Sequence, residues 1–134
     1  MPSPAQAVSR CTLLHIMPFD LITGVGIDIV ELEDMRKARF KKRVAEYFLT
    51  KKEIRTMPHG ARRTQFLASR FALKEAVIKA FPKKISPLDF EIIKKENRPH
   101  IVFMSPQRNK KYVVLVSLTH TVHIAAAIAI VYVV

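Results

Sequence analysis

Residues 62–81 read Arg62-Arg-Thr-Gln-Phe-Leu-Ala-Ser-Arg-Phe-Ala-Leu-Lys-Glu-Ala-Val-Ile-Lys-Ala-Phe81, and this stretch decides the architecture. Phe66, Leu67, Phe71, Leu73, Val77, Ile78 and Phe81 recur at three- and four-residue spacing, the period of a helix with an apolar face. Pro82 follows and closes the helix, because it has no amide hydrogen to give. Upstream, Leu21–Leu32 is an apolar, mostly β-branched run and reads as a strand. Asp34–Phe48 is rich in Arg, Lys, Ala and Glu and reads as a basic helix. Thr50 with Glu53 three residues later is a capping-box signature, so a short helix starts there and stops by Pro58. Downstream, Phe90–Ile93 and His100–Met104 read as strands joined by the charged, turn-forming hairpin Lys94–Pro99.

The last stretch, Tyr112–Val134, has no Lys, Arg, Asp or Glu, and its length alone would allow a membrane helix. Ser117, Thr119, His120, Thr121 and His123 sit in its middle, where unpaired polar groups are costly in lipid. Its flanks are rich in Val and Ile, so it reads as two strands meeting at a polar turn over Thr119–Val122. One strand, then helices, then four strands predicts an α+β domain with helices packed on a largely antiparallel sheet.

A length of 134 residues is one domain's worth, and 49% apolar with 25% charged residues excludes a disordered chain. The lone Cys11 excludes a disulfide scaffold and a cysteine zinc cluster. The formal charge of +12 calls for a polyanion: nucleic acid, anionic membrane, a phosphorylated ligand or an acidic protein. Residues 1–20 contain no acid before Asp20 and read as an extension or tag ahead of a second possible start at Met17. Arg10 alone is thin support for an organelle transit peptide, though that address stays open beside a cytoplasmic one. The domain itself is expected over 21–134.

Asp28 lies in the middle of an otherwise apolar strand and must be paired, hydrogen-bonded or bound to a metal. Gly24 and Gly26 precede it at period two, so one strand face there has no side chains and permits close approach by a ligand or another strand. On the long helix, Glu75 and Lys79 are one turn apart, an arrangement that is also that of an ordinary surface ion pair. Lys74, Glu75 and Lys79 are set among the small Ala72 and Ala76, which would leave room for a ligand over the helix. Two carboxylates completed by phosphate oxygens and water suit magnesium, and a neighbouring lysine would hold phosphate as a point charge.

Gly24-Val-Gly-Ile-Asp-Ile-Val30, then Phe66-Leu-Ala-Ser-Arg-Phe-Ala-Leu-Lys-Glu-Ala-Val-Ile-Lys79, resembles the holo-acyl-carrier-protein synthase family of small 4′-phosphopantetheinyl transferases. Phe48-Leu-Thr50 with Lys52-Glu53, and the closing Ser117-Leu-Thr-His-Thr121, fit the same pattern in the same order. The resemblance covers about residues 21–133. It implies transfer of the phosphopantetheine arm of coenzyme A to a serine of apo acyl carrier protein, with release of adenosine 3′,5′-bisphosphate, in support of fatty acid biosynthesis. It implies magnesium held by Asp28 and Glu75, with a catalytic, phosphate-contacting Lys79. Arg70 and His120 would line the coenzyme A pocket, with Lys74 beside the site. Family members usually carry a glycine-rich loop after the long helix; here Phe81-Pro-Lys-Lys-Ile-Ser-Pro87 has no glycine, and Lys83 and Lys84 are the charges available to substitute for it.

At about 100° per residue, Arg70 and Glu75 lie roughly 140° apart around the helix axis. If both bind coenzyme A, the pocket lies between subunits, in agreement with the homotrimer that the resemblance implies. The basic helix is then the docking site for the acidic carrier protein through Arg36, Arg39 and Arg43, with steering to speed encounter. The competing readings are a non-catalytic nucleic-acid-binding domain, which the charge supports but dispersed basic pairs do not, and a degenerate transferase that binds the carrier without transferring the arm.

Overall fold

The computed structural model describes residues 21–37 and 41–134. The extension expected over 1–20, Cys11 and the docking residue Arg39 lie outside the described residues. Strand β1 (Ile22–Glu31) runs into helix α1 (Leu32–Lys37). Helices α2 (Lys41–Phe48) and α3 (Lys51–Arg55) precede the long helix α4 (Arg62–Ala80). A 3₁₀ turn (Pro87–Asp89) leads to β2 (Phe90–Lys95) and β3 (Arg98–Phe103); helix α5 (Pro106–Lys111) then precedes β4 (Tyr112–His120) and β5 (Ile124–Val133). The basic helix expected over 34–48 is thus described as two helices on either side of residues 38–40. Among the described residues, no helix is long and apolar enough to cross a membrane.

The α+β expectation holds. One antiparallel sheet has the order β1-β5-β4, and β2 with β3 forms a separate hairpin. Glu96 and Asn97 carry that hairpin's turn with φ of 51° and 60°, the paired left-handed conformation of a two-residue loop. The polar segment in the last forty residues is the β4–β5 turn, where the Thr121 hydroxyl accepts the amides of His123 and Ile124. The box at Thr50 forms as expected: the Thr50 hydroxyl accepts the Glu53 amide, and the Glu53 carboxylate accepts the Thr50 amide.

Helix α4 ends where Phe81 turns to extended backbone (ψ 135°), the conformation a following proline favours. Its buried Ala72, Ala76 and Ala80 face β1 and the buried Ala125, Ala127 and Ala129 of β5. A Cβ placed on Gly24 would stand 2.0 Å from the Ala80 carbonyl oxygen, and one on Gly26 2.0 Å from that of Ala76. The glycines therefore admit a helix, neither a ligand nor another strand. The small residues Ala72 and Ala76 likewise leave no room over the helix, because β1 fills it.

Candidate active site

The glycine contacts set the register of strand against helix. Two residues of strand advance about 6.6 Å, close to the roughly 6 Å that four helical residues cover. With Gly24 at Ala80 and Gly26 at Ala76, Asp28 falls on the same strand face about one turn nearer the helix start, near the level of Ala72. The Lys79 ammonium donates to Asp28 Oδ1 at 2.8 Å and to the Ile27 carbonyl at 3.1 Å. Lys79 thus pairs with Asp28 and not, as an ordinary surface pair would, with Glu75. Asp28 is largely shielded, its side chain 16% exposed, whereas the Lys79 side chain is 52% exposed. Glu75 is half-buried and makes no hydrogen bond or ion pair among the described residues.

The crossing of β1 and α4 therefore brings together Asp28 and Lys79, with Glu75 one helical turn before Lys79 on α4. A cleft of 480 Å³ opens beside Asp28, with Glu31, Asp34 and Phe71 among its lining. The donor set fits a hard divalent cation: Asp28 already holds a cation, the ammonium, and Glu75 has an unused carboxylate. Among the described residues no three His, Cys, Asp or Glu side chains cluster as a cage, so water or ligand oxygens would have to complete the shell, as magnesium prefers.

Arg70 and His120 meet elsewhere. They line a second cleft, also 480 Å³, between α4, the β2–β3 turn and the end of β4, together with Arg62, Gln65, Lys94 and Asn97. A wider lobe shares Arg62, Arg70 and Lys94 and extends to Lys52 and Thr56. The Arg70 guanidinium sits over the Phe66 ring at 5.0 Å and donates to the Ile92 carbonyl at 3.2 Å. Burial pushes its pKa down from the ordinary arginine value, partly countered by the nearby Glu53 carboxylate. The Gln65 side-chain amide lies 2.6 Å from Nδ1 of His120. Asp28, Glu75 and Lys79 are not in this cleft, as the separation of Arg70 and Glu75 around the helix requires.

Lys74 is a correction. It does not stand beside the site with Glu75 and Lys79: its side chain is 0% exposed and its ammonium lies 2.9 Å from Oε2 of Glu53, itself 4% exposed. The same ammonium donates to the carbonyls of Pro87 (2.7 Å) and Phe90 (2.5 Å) and sits over the Phe90 ring. All three of its protons are used inside the core, so none is left for a ligand phosphate. Lys83 is exposed on a loop pinned at both ends by buried Phe81 and Ile85, and it lines neither cleft. Arg36 is held by Glu33 at 3.2 Å on α1, and Arg43 is exposed on α2.

The sequence reading missed Arg62, Gln65, Lys94 and Asn97 as cleft residues and Glu53 as more than a cap. Lys94 and Asn97 carry a turn signal, which masks any other role. Glu53 left a weak trace, since a cap fully satisfied by the backbone needs no buried lysine.

The model of the family described as the 4′-phosphopantetheinyl transferase superfamily matches residues 24–129, from the first strand glycine to the last strand. The chain belongs to that superfamily. Within it, the chain is similar to a holo-[acyl-carrier-protein] synthase of Listeria welshimeri, 41% identical over 115 residues that span 80% of this chain and 95% of that one. A synthase of Latilactobacillus sakei is 37% identical over 80% of this chain and 94% of its own length. Among solved structures, a Bacillus anthracis holo-(acyl-carrier-protein) synthase in complex with CoA (3′,5′-ADP) superposes with a TM-score of 0.72 at 30% identity, covering 84% of this chain and 97% of that one. The Helicobacter pylori synthase in complex with coenzyme A gives 0.67 at 31% identity, covering 80% and 98%. The chain is thus an enzyme of the holo-acyl-carrier-protein synthase family, and the reading as a non-catalytic nucleic-acid-binding domain is displaced.

Proposed function

We propose that this chain transfers the 4′-phosphopantetheine arm of coenzyme A to a serine of apo acyl carrier protein, with magnesium, releasing adenosine 3′,5′-bisphosphate in the cytoplasm for fatty acid biosynthesis. The observation that carries this is the Asp28–Lys79 pair at the β1–α4 crossing, with Glu75 one turn before Lys79 on the same helix and a separate basic cleft around Arg70 and His120. Asp28 and Glu75 would hold the ion, which when bound supplies positive charge to the pyrophosphate as its bond to the leaving phosphate breaks. Lys79 holds a phosphate oxygen through its flexible ammonium. Glu75, with no hydrogen-bond or ion-pair partner among the described residues, is the base that this chain's own side chains offer to the serine proton. Arg70, Arg62 and His120 take the phosphorylated adenosine end, the planar guanidinium matching phosphate geometry. Lys83 meets phosphate only as a mobile charge at the rim.

The acidic crossing and the basic cleft lie on different sides of α4, so one ligand spanning both needs two copies of the chain. The outer face of the three-stranded sheet supports a homotrimer with shared sites. Val25, Ile27 and Ile29 are 59%, 61% and 61% exposed there, and Ile128 and Leu115 extend the patch across β5 and β4. Such a contiguous apolar face is what a second copy covers. Arg36, Arg39 and Arg43, in the basic segment that follows β1 in the sequence, meet the acidic carrier.

Incubation with apo carrier protein, coenzyme A and magnesium tests the reading by mass spectrometry. A gain of one phosphopantetheine unit, lost in Asp28→Ala, is the expected result. Absence of any gain with the folded, unsubstituted chain overturns it. Mixing Arg70→Ala with Glu75→Ala protein restores some transfer where the site is shared between copies; no restoration in a demonstrably mixed trimer overturns the shared site alone.

A further inference from the structure

We propose that Lys79 is a built-in counter-ion that keeps divalent cations off Asp28 until a phosphate ligand draws its ammonium away, so that metal and coenzyme A load together. This rests on the metal reading above and adds an order to it. The Asp28 carboxylate is withdrawn from water on a strand packed against a helix, and such a group needs a cation. In this chain the cation is already there: Lys79 Nζ stands 2.8 Å from Oδ1 and is steadied by the Ile27 carbonyl at 3.1 Å. A metal ion held through this carboxylate would compete with that ammonium for its negative charge.

The pair is built to open from one side. Asp28 is fixed by the strand, but Lys79 is half-exposed on a four-carbon stem and can swing without breaking any packing. A phosphate group at the crossing offers the ammonium a second anion and frees the carboxylate at the moment that the phosphate oxygens become available to the metal. Each ligand then raises the affinity of the other, and by linkage the two enhancements are equal. Free divalent cations, without the phosphate, meet an Asp28 carboxylate already occupied by the ammonium. Lys79 thus determines which cation complex the acidic pair accepts.

The test is Mn²⁺ binding to the full-length chain, read from the electron paramagnetic resonance of free Mn²⁺ without any turnover. In the absence of coenzyme A, Lys79→Met binds Mn²⁺ about two- to fivefold more tightly than the unsubstituted chain, the range expected for a partly exposed ion pair. Lys79→Gln does the same and serves if the methionine variant is poorly folded. Lys84→Met, an equal loss of charge at an exposed lysine with no contact to Asp28, leaves the affinity unchanged. Coenzyme A then enhances Mn²⁺ binding less in Lys79→Met than in the unsubstituted chain, by about the same factor.

Equal or weaker Mn²⁺ binding by both Lys79 variants overturns the inference, and so does equal tightening by Lys84→Met. Asp28→Asn separates this from the metal reading. If Asp28→Asn abolishes Mn²⁺ binding while the Lys79 variants bind no tighter, the counter-ion role alone fails. If Asp28→Asn binds Mn²⁺ as the unsubstituted chain does, the acidic pair holds no metal and both fail.

Discussion

Helix α4 carries two lysine–carboxylate pairs five residues apart, nearly equal in length and opposite in use. Lys74 meets Glu53 at 2.9 Å and Lys79 meets Asp28 at 2.8 Å. The first pair is sealed, with Glu53 also accepting the Ile92 amide at 2.7 Å and the Thr50 amide at 2.9 Å. Every donor and acceptor in it is spent on ordering α3, α4 and the free edge of β2, where Arg70 also caps Ile92. The second pair has one shielded partner and one half-exposed partner, so an incoming ligand can exchange it. Distance does not separate a structural pair from a functional one; the availability of a replacement partner does.

The largest expected effect breaks the open pair. Asp28→Asn removes a charge that the transition state needs and leaves the strand face intact. Transfer falls about a thousandfold, roughly 4 kcal/mol, in a carrier-protein mass assay. The thermal midpoint falls by less than about 5 °C, because a partly exposed pair is worth under about 1 kcal/mol. A loss of stability rivalling that of the sealed pair would erase the distinction.

Breaking the sealed pair has the opposite signature. Lys74→Met leaves the Glu53 carboxylate buried without its cation and strips the Pro87 and Phe90 carbonyls of a donor. Urea unfolding shows a loss of about 3–5 kcal/mol. Adding Glu53→Gln to it recovers part of that loss, since the uncompensated charge is then gone. If the double substitution is as costly as the two singles summed, the pair is not coupled and the contrast with Lys79 fails.

A smaller change sharpens the comparison by moving the strand that bears Asp28. Gly26→Ala puts a methyl 2.0 Å from the Ala76 carbonyl oxygen, a backbone atom that cannot swing aside. Stability falls by about 1–3 kcal/mol in urea unfolding. Because β1 must lift from α4, transfer falls as well, while the Glu53–Lys74 pair on the helix's other side is spared.

Much of this architecture was legible because it is local. The period of Phe66, Leu67, Phe71, Val77 and Ile78 marks α4, and Thr50 with Glu53 marks α3, since both signals lie within a few residues of what they specify. Asp28 stood out as a charge in an apolar strand. What reaches across the fold did not show. Gly24 and Gly26 revealed a bare strand face but not that Ala80 and Ala76 approach it. Lys74 read as a companion of Glu75, although its place seven residues after Leu67 and three before Val77 puts it on the buried stripe. A lysine there is tolerable only because Glu53, twenty-one positions earlier in the chain, supplies the charge. The 3₁₀ turn and α5 were missed, though Ser86-Pro87 and Ser105-Pro106 place a serine ahead of a first-turn proline, as helix starts do, because segments so short have little periodicity to read.

The smallest effect concerns pH and tests the sealed pair without touching activity. Burial is the dominant influence on Lys74 and pulls its pKa below the ordinary 10.5, with the Glu53 charge and hydrogen bond opposing. Between that lowered value and 10.5, the unfolded chain holds a proton on this lysine that the folded chain has released. Stability therefore rises with pH across that window, and the contribution is absent below the folded-state value, where both states are protonated. Measured as unfolding free energy at alkaline pH, the unsubstituted chain gains relative to Lys74→Met, by less than the cost of the substitution itself. Parallel profiles for Lys74→Met and the unsubstituted chain would mean that Glu53 fully offsets the burial of Lys74, and the sealed pair would then differ from the open one in packing alone.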